Sequence, residues 1–464
     1  MVVLNSKPVG EFLERVGWGR FQTYIFWIAG LAWLSDLLWL INMSVIMQDA
    51  GDHWGLNQFE RSFFSISFNL GLYVGSYLYG FLGDKLGRVR VFKKTVLVAF
   101  LGGVLVTASV DIYMLNVMCF LTGIGVGGEI SLGGTVFCEF IPPSKTYLLA
   151  LLCMFWCIGG LMSACLALVF TLVGSGPFMM WRWVCGVCCI FELVFWYLRL
   201  SLPETPHYLY TQNKNSEMDE VLKRICKSNN SDFTCDIEKT KMLLQDFDQE
   251  SLEETSEETK DSKCSLLKKV FSSEYAKQST IFTLVYFGIC FSMGGLLIYM
   301  PELISESGPN ISGWMVYVSI CCQQLCGTIG VGFASYLIES RLGRKWTLGL
   351  TIISSSLFCF LFMIGKNFAM VVIFSSMTYT CSYMGWAALY TITPESYPTE
   401  IRNSAVGWTN AWAKAGGFVS PLFMGLILDL PGGYFIVLAT SAVGFCCVAI
   451  ASSMLRETKG NSAI

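Results

Sequence analysis

The chain has 464 residues, 54% hydrophobic and only 14% charged, and its 31 Lys and Arg nearly balance 34 Asp and Glu to a net charge of −3. Soluble domains carry about a quarter charged residues. An ordinary soluble domain is therefore excluded, and no nucleic-acid partner is expected.

Apolar runs of roughly 20 residues, the length that crosses a bilayer, recur along the chain. The first 20 residues are polar and show no cleavable signal, so the first membrane helix is expected to act as its own targeting signal. Six helices are predicted over 21–48, 61–81, 92–110, 113–137, 146–173 and 182–201. A polar stretch, 204–278, follows. It contains the acidic run "ESLEETSEETKD" and reads as a partly disordered linker. Six further helices are predicted over 279–300, 313–338, 346–364, 369–391, 403–428 and 433–455. The domains are then 1–203, a first six-helix bundle; 204–278, the linker; and 279–464, a second six-helix bundle.

Lys85, Arg88, Arg90, Lys93 and Lys94 follow helix 2; Arg341, Arg344 and Lys345 follow helix 8; Arg402 follows helix 10. The positive-inside rule places these loops, both termini and the linker in the cytosol. Asn310 then lies in a sequon on the outer side, and the sequon at Asn229 is cytosolic. The 19 cysteines lie mostly within apolar runs and read as packing residues. The two histidines, His53 and His207, lack metal-ligand spacing, so neither a metal nor a cofactor is expected.

The halves repeat. "GFLGDKLGRVRV" (80–91) follows helix 2 and "SYLIESRLGRKW" (335–346) follows helix 8. Such repeats imply an all-α membrane protein of twelve transmembrane helices, in two pseudo-symmetric six-helix bundles around a central cavity. "GIGVGG" (123–128) mimics a nucleotide loop but lies inside a membrane helix, where its glycines permit close packing.

Charges at bilayer depth are costly and mark function. Asp36 interrupts "GLAWLSDLLWLI" (30–41), with Trp33 and Trp39 on the same helical face. Glu129 follows Gly127 and Gly128 in helix 4. Lys414 lies in helix 11, one turn after Asn410, and is read as the only Lys or Arg deep in a membrane helix. Asp36 and Glu129 are candidate proton carriers; Lys414 is a candidate partner for them or for an anionic substrate. Tyr379, Tyr383, Trp386 and Tyr390 form a stripe on helix 10 at helical spacing, which by itself reads as packing. Glu192 in helix 6 is left between a lipid-adjacent place and a pairing with Arg182. No nucleophile–base constellation occurs, so an enzyme is not expected.

Gly80, Leu82, Asp84, Lys85, Gly87 and Arg88 match the G-x-L-x-D-[RK]-x-G-R signature of the major facilitator superfamily. The chain resembles in particular its synaptic vesicle 2-related, organic-ion and metabolite:proton symporter branch. The resemblance rests also on "VGWGRFQTYIFWIAGLAWLSD", "GIGVGGEISLGGTVFCEFIP", "LPETPHYL" and "YTITPESYPTEIRNSAVGWTNAWAKAGGFVSPL". Cys119 stands where the branch usually has arginine, His207 ends its PESPR motif, Ser340 replaces the usual acid with Glu339 one place early, and Lys414 replaces arginine. The resemblance implies a gate on the linker side in which Asp84 meets a helix N-terminus, Arg88 pairs with Glu139, and Arg344 or Arg402 pairs with Glu395 or Glu204. It also implies that a basic residue at 414 accompanies organic anions, and that helix 10 lines the cavity, so that one or two of its aromatic residues, with Tyr383 and Trp386 the candidates, stack on substrate.

These features together predict a secondary transporter of a small organic carboxylate, coupled to protons, working by alternating access as a monomer in the lipid bilayer of the plasma membrane or an endomembrane vesicle. A uniporter of a neutral or cationic solute is the alternative, supported by the sugar-carrier-like ending "LRETKG" (455–460). A non-transporting membrane protein of the same fold is the third reading.

Overall fold

The computed structural model describes residues 7–174, 179–212, 214–230, 269–307, 311–365, 367–397 and 399–458. The sequon at Asn310 and the acidic run of the linker lie outside them.

The membrane helices are α1 (Arg20–Trp54), α2 (Gln58–Leu86), α3 (Arg88–Thr107), α4 (Ile112–Phe140), α5 (Leu152–Val173) and α6 (Met180–Arg199) in the first half. The second half contributes α7 (Ala276–Glu306), α8 (Gly313–Glu339), α9 (Gly343–Met363), α10 (Phe368–Glu395), α11 (Thr399–Leu428) and α12 (Gly433–Ser453). Ten are long and apolar enough to cross a membrane on their own. The other two are α2 and α3. Arg88, Arg90, Lys93 and Lys94 crowd the first turns of α3, and α2 carries charges at both ends. Charges at helix ends sit at the interface, so they shape the window average without forbidding a span.

Several helices outrun their predicted lengths. α1 continues to Trp54 and is closed by Gly55 in the left-handed conformation. One predicted span begins late: Pro143–Leu151 forms a 3-10 helix, and the α-helix starts at Leu152. Pro142 and Pro143 there remove backbone donors that an α-helical turn would use.

The packing is twofold. α2 packs on α4 as α8 packs on α10, α1 on α5 as α7 on α11, and α3 on α6 as α9 on α12. The halves meet where α2 touches α11 and its counterpart α5 touches α8, with α1 against α7 along the middle. Glycines set the closest approach, between α2 and α4. A Cβ on Gly123 would collide with the Phe68 carbonyl, and one on Gly127 with that of Leu72. Small residues let two backbones meet this closely, which accounts for the glycine run in α4.

Two pieces of the fold lie outside the sequence reading. The amphipathic helix Lys7–Val16 buries Val9, Phe12 and Leu13. The first part of the predicted linker forms helices Pro206–Thr211 and Asn215–Ser228. Asn229, at the end of the second, accepts from Phe21 N at 3.0 Å and donates to Gln22 Oε1 at 2.8 Å. This stretch is therefore fastened to the start of α1.

Candidate functional site

Asp36 lies midway along α1, where the two halves meet. Trp156 of α5 donates its indole N–H to Asp36 Oδ2 at 2.8 Å, while Oδ1 is buried with no hydrogen-bond partner. Lys414 of α11 lies within electrostatic reach of Asp36 from the other bundle, without a direct ion pair. Asn410 sits half-buried one turn before it.

Aromatic rings from both halves wall this point. Trp33 stands edge-on to Tyr390 at 5.4 Å, and Trp156 edge-on to Tyr383 at 5.4 Å. Trp386 packs between Tyr390, at 5.3 Å, and Tyr286, at 5.7 Å. The Tyr383 hydroxyl donates to Gln324 Oε1 at 3.1 Å. Four further groups are buried without a partner: Trp33 Nε1, Trp386 Nε1, Gln324 Nε2 and the Tyr379 hydroxyl. Buried polar groups are normally paired. A cluster of unpaired donors around one half-satisfied carboxylate is what a polar solute would complete.

Other expected members lie elsewhere. Trp39 shares a helical face with Asp36 only in part. It is fully buried and donates to Glu192 Oε1 at 3.0 Å. Glu192 is fully buried too and also accepts from Ser35 at 2.5 Å, so it is neither lipid-adjacent nor paired with Arg182. Arg182 instead donates to the carbonyls of Thr107 and Ser109 at 2.5 Å each. Glu129 forms a 2.8 Å ion pair with Arg199, both fully buried. Lys414 is therefore not the only deep cation: Arg199, in the last turn of α6, turns inward.

A second constellation occupies the face of the basic turns, and it is duplicated. Arg88 pairs with Glu139 and, at 3.5 Å, with Asp84. Arg344 pairs with Glu395 at 2.7 Å and Glu339 at 3.3 Å. Glu204 accepts from Val89 N at 2.8 Å and Arg90 N at 3.2 Å, at the N-terminus of α3. Glu457 accepts from Arg344 N at 3.0 Å and Lys345 N at 3.1 Å, at the N-terminus of α9. Carboxylates at helix N-termini satisfy free N–H groups and oppose the helix dipole. That place, expected for Asp84, is held by Glu204. Gly87 and Gly343 have φ of +106° and +76°, and a Cβ on either would run into the capping carboxylate. Each of these ion pairs stays within one bundle. The side chain of Arg402 lies outside the described residues.

The opposite face carries contacts between bundles. Asp429, just past α11, accepts from Gln58 N at 3.0 Å and Phe59 N at 3.1 Å, at the start of α2. The Tyr299 hydroxyl of α7 donates to the Gln58 carbonyl at 3.3 Å.

Two pseudo-symmetric membrane bundles, joined around a site with unpaired polar groups, define a secondary transporter. The chain belongs to the sugar (and other) transporter family of the major facilitator superfamily, whose profile matches residues 38–464. It is similar to the niacin transporter NiaP of Acinetobacter baylyi, at 26% identity covering 97% of each chain. It is also similar to the synaptic vesicle 2-related protein of Bos taurus, at 26% identity covering 98% of this chain and 82% of that one. Among solved structures it matches a partially occluded inward-open form of the xylose transporter XylE from E. coli. The TM-score is 0.74 at 15% identity, covering 94% of this chain and 100% of that one. The family and fold are those of transporters, not enzymes.

Trp156 and Gln324 were not singled out in the sequence. Trp156 follows Phe155 and Gln324 follows Gln323 in otherwise apolar runs, and only the meeting of α5, α8 and α10 brings either to the site.

Proposed function

We propose that the chain is a proton-coupled symporter of a small aromatic carboxylate, acting as a monomer. The observation that carries this reading is Asp36, held on one oxygen by Trp156, free on the other, and faced by Lys414 across the bundle interface. The proton binds Asp36 and removes a charge that would resist closure at bilayer depth. Lys414 then faces the substrate carboxylate, and the indole and phenol rings take its flat face. The niacin transporters among the relatives support an aromatic acid, and the proton:xylose symporter among the structural neighbours supports coupling to protons.

The basic turns support a cytosolic side for the termini, the linker and the duplicated ion pairs. Opening and closing on that side then moves two internally braced bundles as units. The plasma membrane or an endomembrane vesicle is the site of action.

Internal pH recorded in proteoliposomes tests this, as nicotinate, benzoate, glucose and an organic cation are added in turn. Acidification with the carboxylates alone, absent in Asp36→Asn and in protein-free vesicles, is the expected result. Tracer exchange without any pH change would favour the second reading, a uniporter of a neutral solute. Gln324 Nε2 and the two unpaired indole N–H groups, all uncharged donors, are what favours that alternative.

A further inference from the structure

Behind Asp36, inside the first bundle, lies a cluster that the transport reading leaves unused. It holds Glu129 of α4 with Glu192 and Arg199 of α6, none of them exposed. Arg199 donates to Glu129 Oε2 at 2.8 Å and lies over the Phe92 ring at 4.1 Å. Its Nε and Nη1 have no acceptor. Glu192 Oε1 receives Ser35 and Trp39, while Glu192 Oε2 has no partner.

The charge count is unbalanced. Two carboxylates share one guanidinium, and a buried charge without a partner is strongly disfavoured. While the guanidinium serves Glu129 alone, the other carboxyl is therefore neutral and holds a proton. Glu129 has the arginine, so the proton belongs to Glu192. The elements packed around Glu192 supply no second cation. α1 presents Ser35 and Trp39, with Asp36 the next acid along that helix; α4 presents Glu129; α6 itself presents Cys188, Cys189 and Arg199. The Lys93 ammonium of α3 is directed to the Leu200 and Leu202 carbonyls instead.

The cluster also has an alternative arrangement. Arg199 follows Glu192 by two helical turns, on the same face. Its two idle nitrogens and the bare Oε2 of Glu192 allow the guanidinium to serve Glu192 as well as Glu129. Ser35 and Asp36 are consecutive on α1, one bonded to Glu192 and the other facing the solute site. A displacement of α1 thus acts on both.

We propose that Glu192 is a second exchangeable proton site of this carrier, working in series with Asp36. This rests on the proton-coupled reading above. Loading forms an O–H bond on Glu192. Release breaks that bond and passes the proton to water, and Arg199 turns its idle Nε and Nη1 to the resulting carboxylate while Nη2 keeps Glu129, so that one guanidinium bridges both. Ser35 and Asp36 move together on α1, so altering Asp36 alters the hydrogen bond that Ser35 gives Glu192 and with it the hold of Glu192 on its proton.

Infrared spectroscopy of the full chain in lipid nanodiscs tests this without a substrate, by following the stretch of protonated carboxyls from about pH 5 to about pH 9. The expected result is a band that Glu192→Gln abolishes, that Glu192→Asp displaces, that fades as pH rises, and whose midpoint moves in Asp36→Asn. The band displaced by Glu192→Asp guards against a loss caused by misfolding. A spectrum unchanged by Glu192→Gln overturns the proposal. So does a band that never fades, because that proton would be structural. Failure of the symport reading shows separately, as absent acidification in the liposome experiment.

Discussion

Trp156 and Asp36 tie α5 to α1 through a single 2.8 Å hydrogen bond at the point where the second bundle's tyrosines close in. The indole does two jobs there: its N–H holds one carboxylate oxygen and its ring edge meets Tyr383. Trp156→Phe keeps the ring and loses the donor. A hydrogen bond to a charged group contributes about 1.5–3 kcal/mol, so transport should fall by roughly tenfold or more. Initial rates of nicotinate uptake in wild type and Trp156→Phe would show this. Equal rates would mean that Asp36 needs no orientation.

Asp36→Asn should abolish uphill accumulation while leaving tracer exchange at equal pH on both sides. The amide preserves shape and still accepts from Trp156, but it cannot take up a proton. Retained uphill uptake would remove Asp36 from the coupling step.

Lys414 should decide the sign of the solute. Lys414→Gln is expected to lose carboxylate uptake, and Lys414→Arg to keep most of it, since the second preserves the positive charge. Competition by benzoate and by an organic cation, measured in both variants, reads this directly. Undiminished carboxylate uptake by Lys414→Gln would assign the anion to the indole and amide donors.

Cys165 of α5 and Cys321 of α8 bring their sulfurs to 3.7 Å across the bundle interface. Copper-phenanthroline oxidation should join them and stop transport, and dithiothreitol should restore it. Cys165→Ser should be indifferent to the oxidant. Cutting the chain within the linker allows the cross-link to be seen on a gel as halves that stay together. Full transport with the halves joined would mean that α5 and α8 do not slide during the cycle.

His207 predicts a pH dependence of stability. Burial, reinforced by the nearby Arg88 guanidinium, pushes its imidazole down to about 4. The unfolded chain binds that proton below about pH 6.5, whereas the folded chain resists it until about 4. The unfolded state holds more protons in that window, so stability is full above it and is lost as pH falls through it. Melting temperatures of wild type should drop more steeply over this range than those of His207→Gln; parallel curves would refute it. A neutral imidazole also suits this place better than an arginine would, because Arg88 already supplies a buried cation there.

Much of the site was legible because charge in an apolar run is rare. Asp36, Glu129 and Lys414 stand out for that reason alone, and the repeated basic turns disclose the twofold plan. What stayed hidden depends on how helices face one another. Trp39 lies three residues from Asp36, close enough to share a helical face, yet the bundle turns it to Glu192. Arg199 closes α6 in the sequence and would ordinarily reach the headgroups, but it folds back onto Glu129. The helix Lys7–Val16 escaped notice because its buried residues are few and separated by charges.

Asp429 belongs to one bundle and finishes a helix of the other. Gln58 and Phe59 rely on it for their backbone N–H groups, while Asn57 serves Glu60 within α2 itself. Any movement that parts the bundles at this end takes the acceptor from two N–H donors of α2 together. This contact therefore favours the arrangement in which the bundles meet at that end. A chain with alanine at 429 would lose the latch and rest more often in the reverse posture.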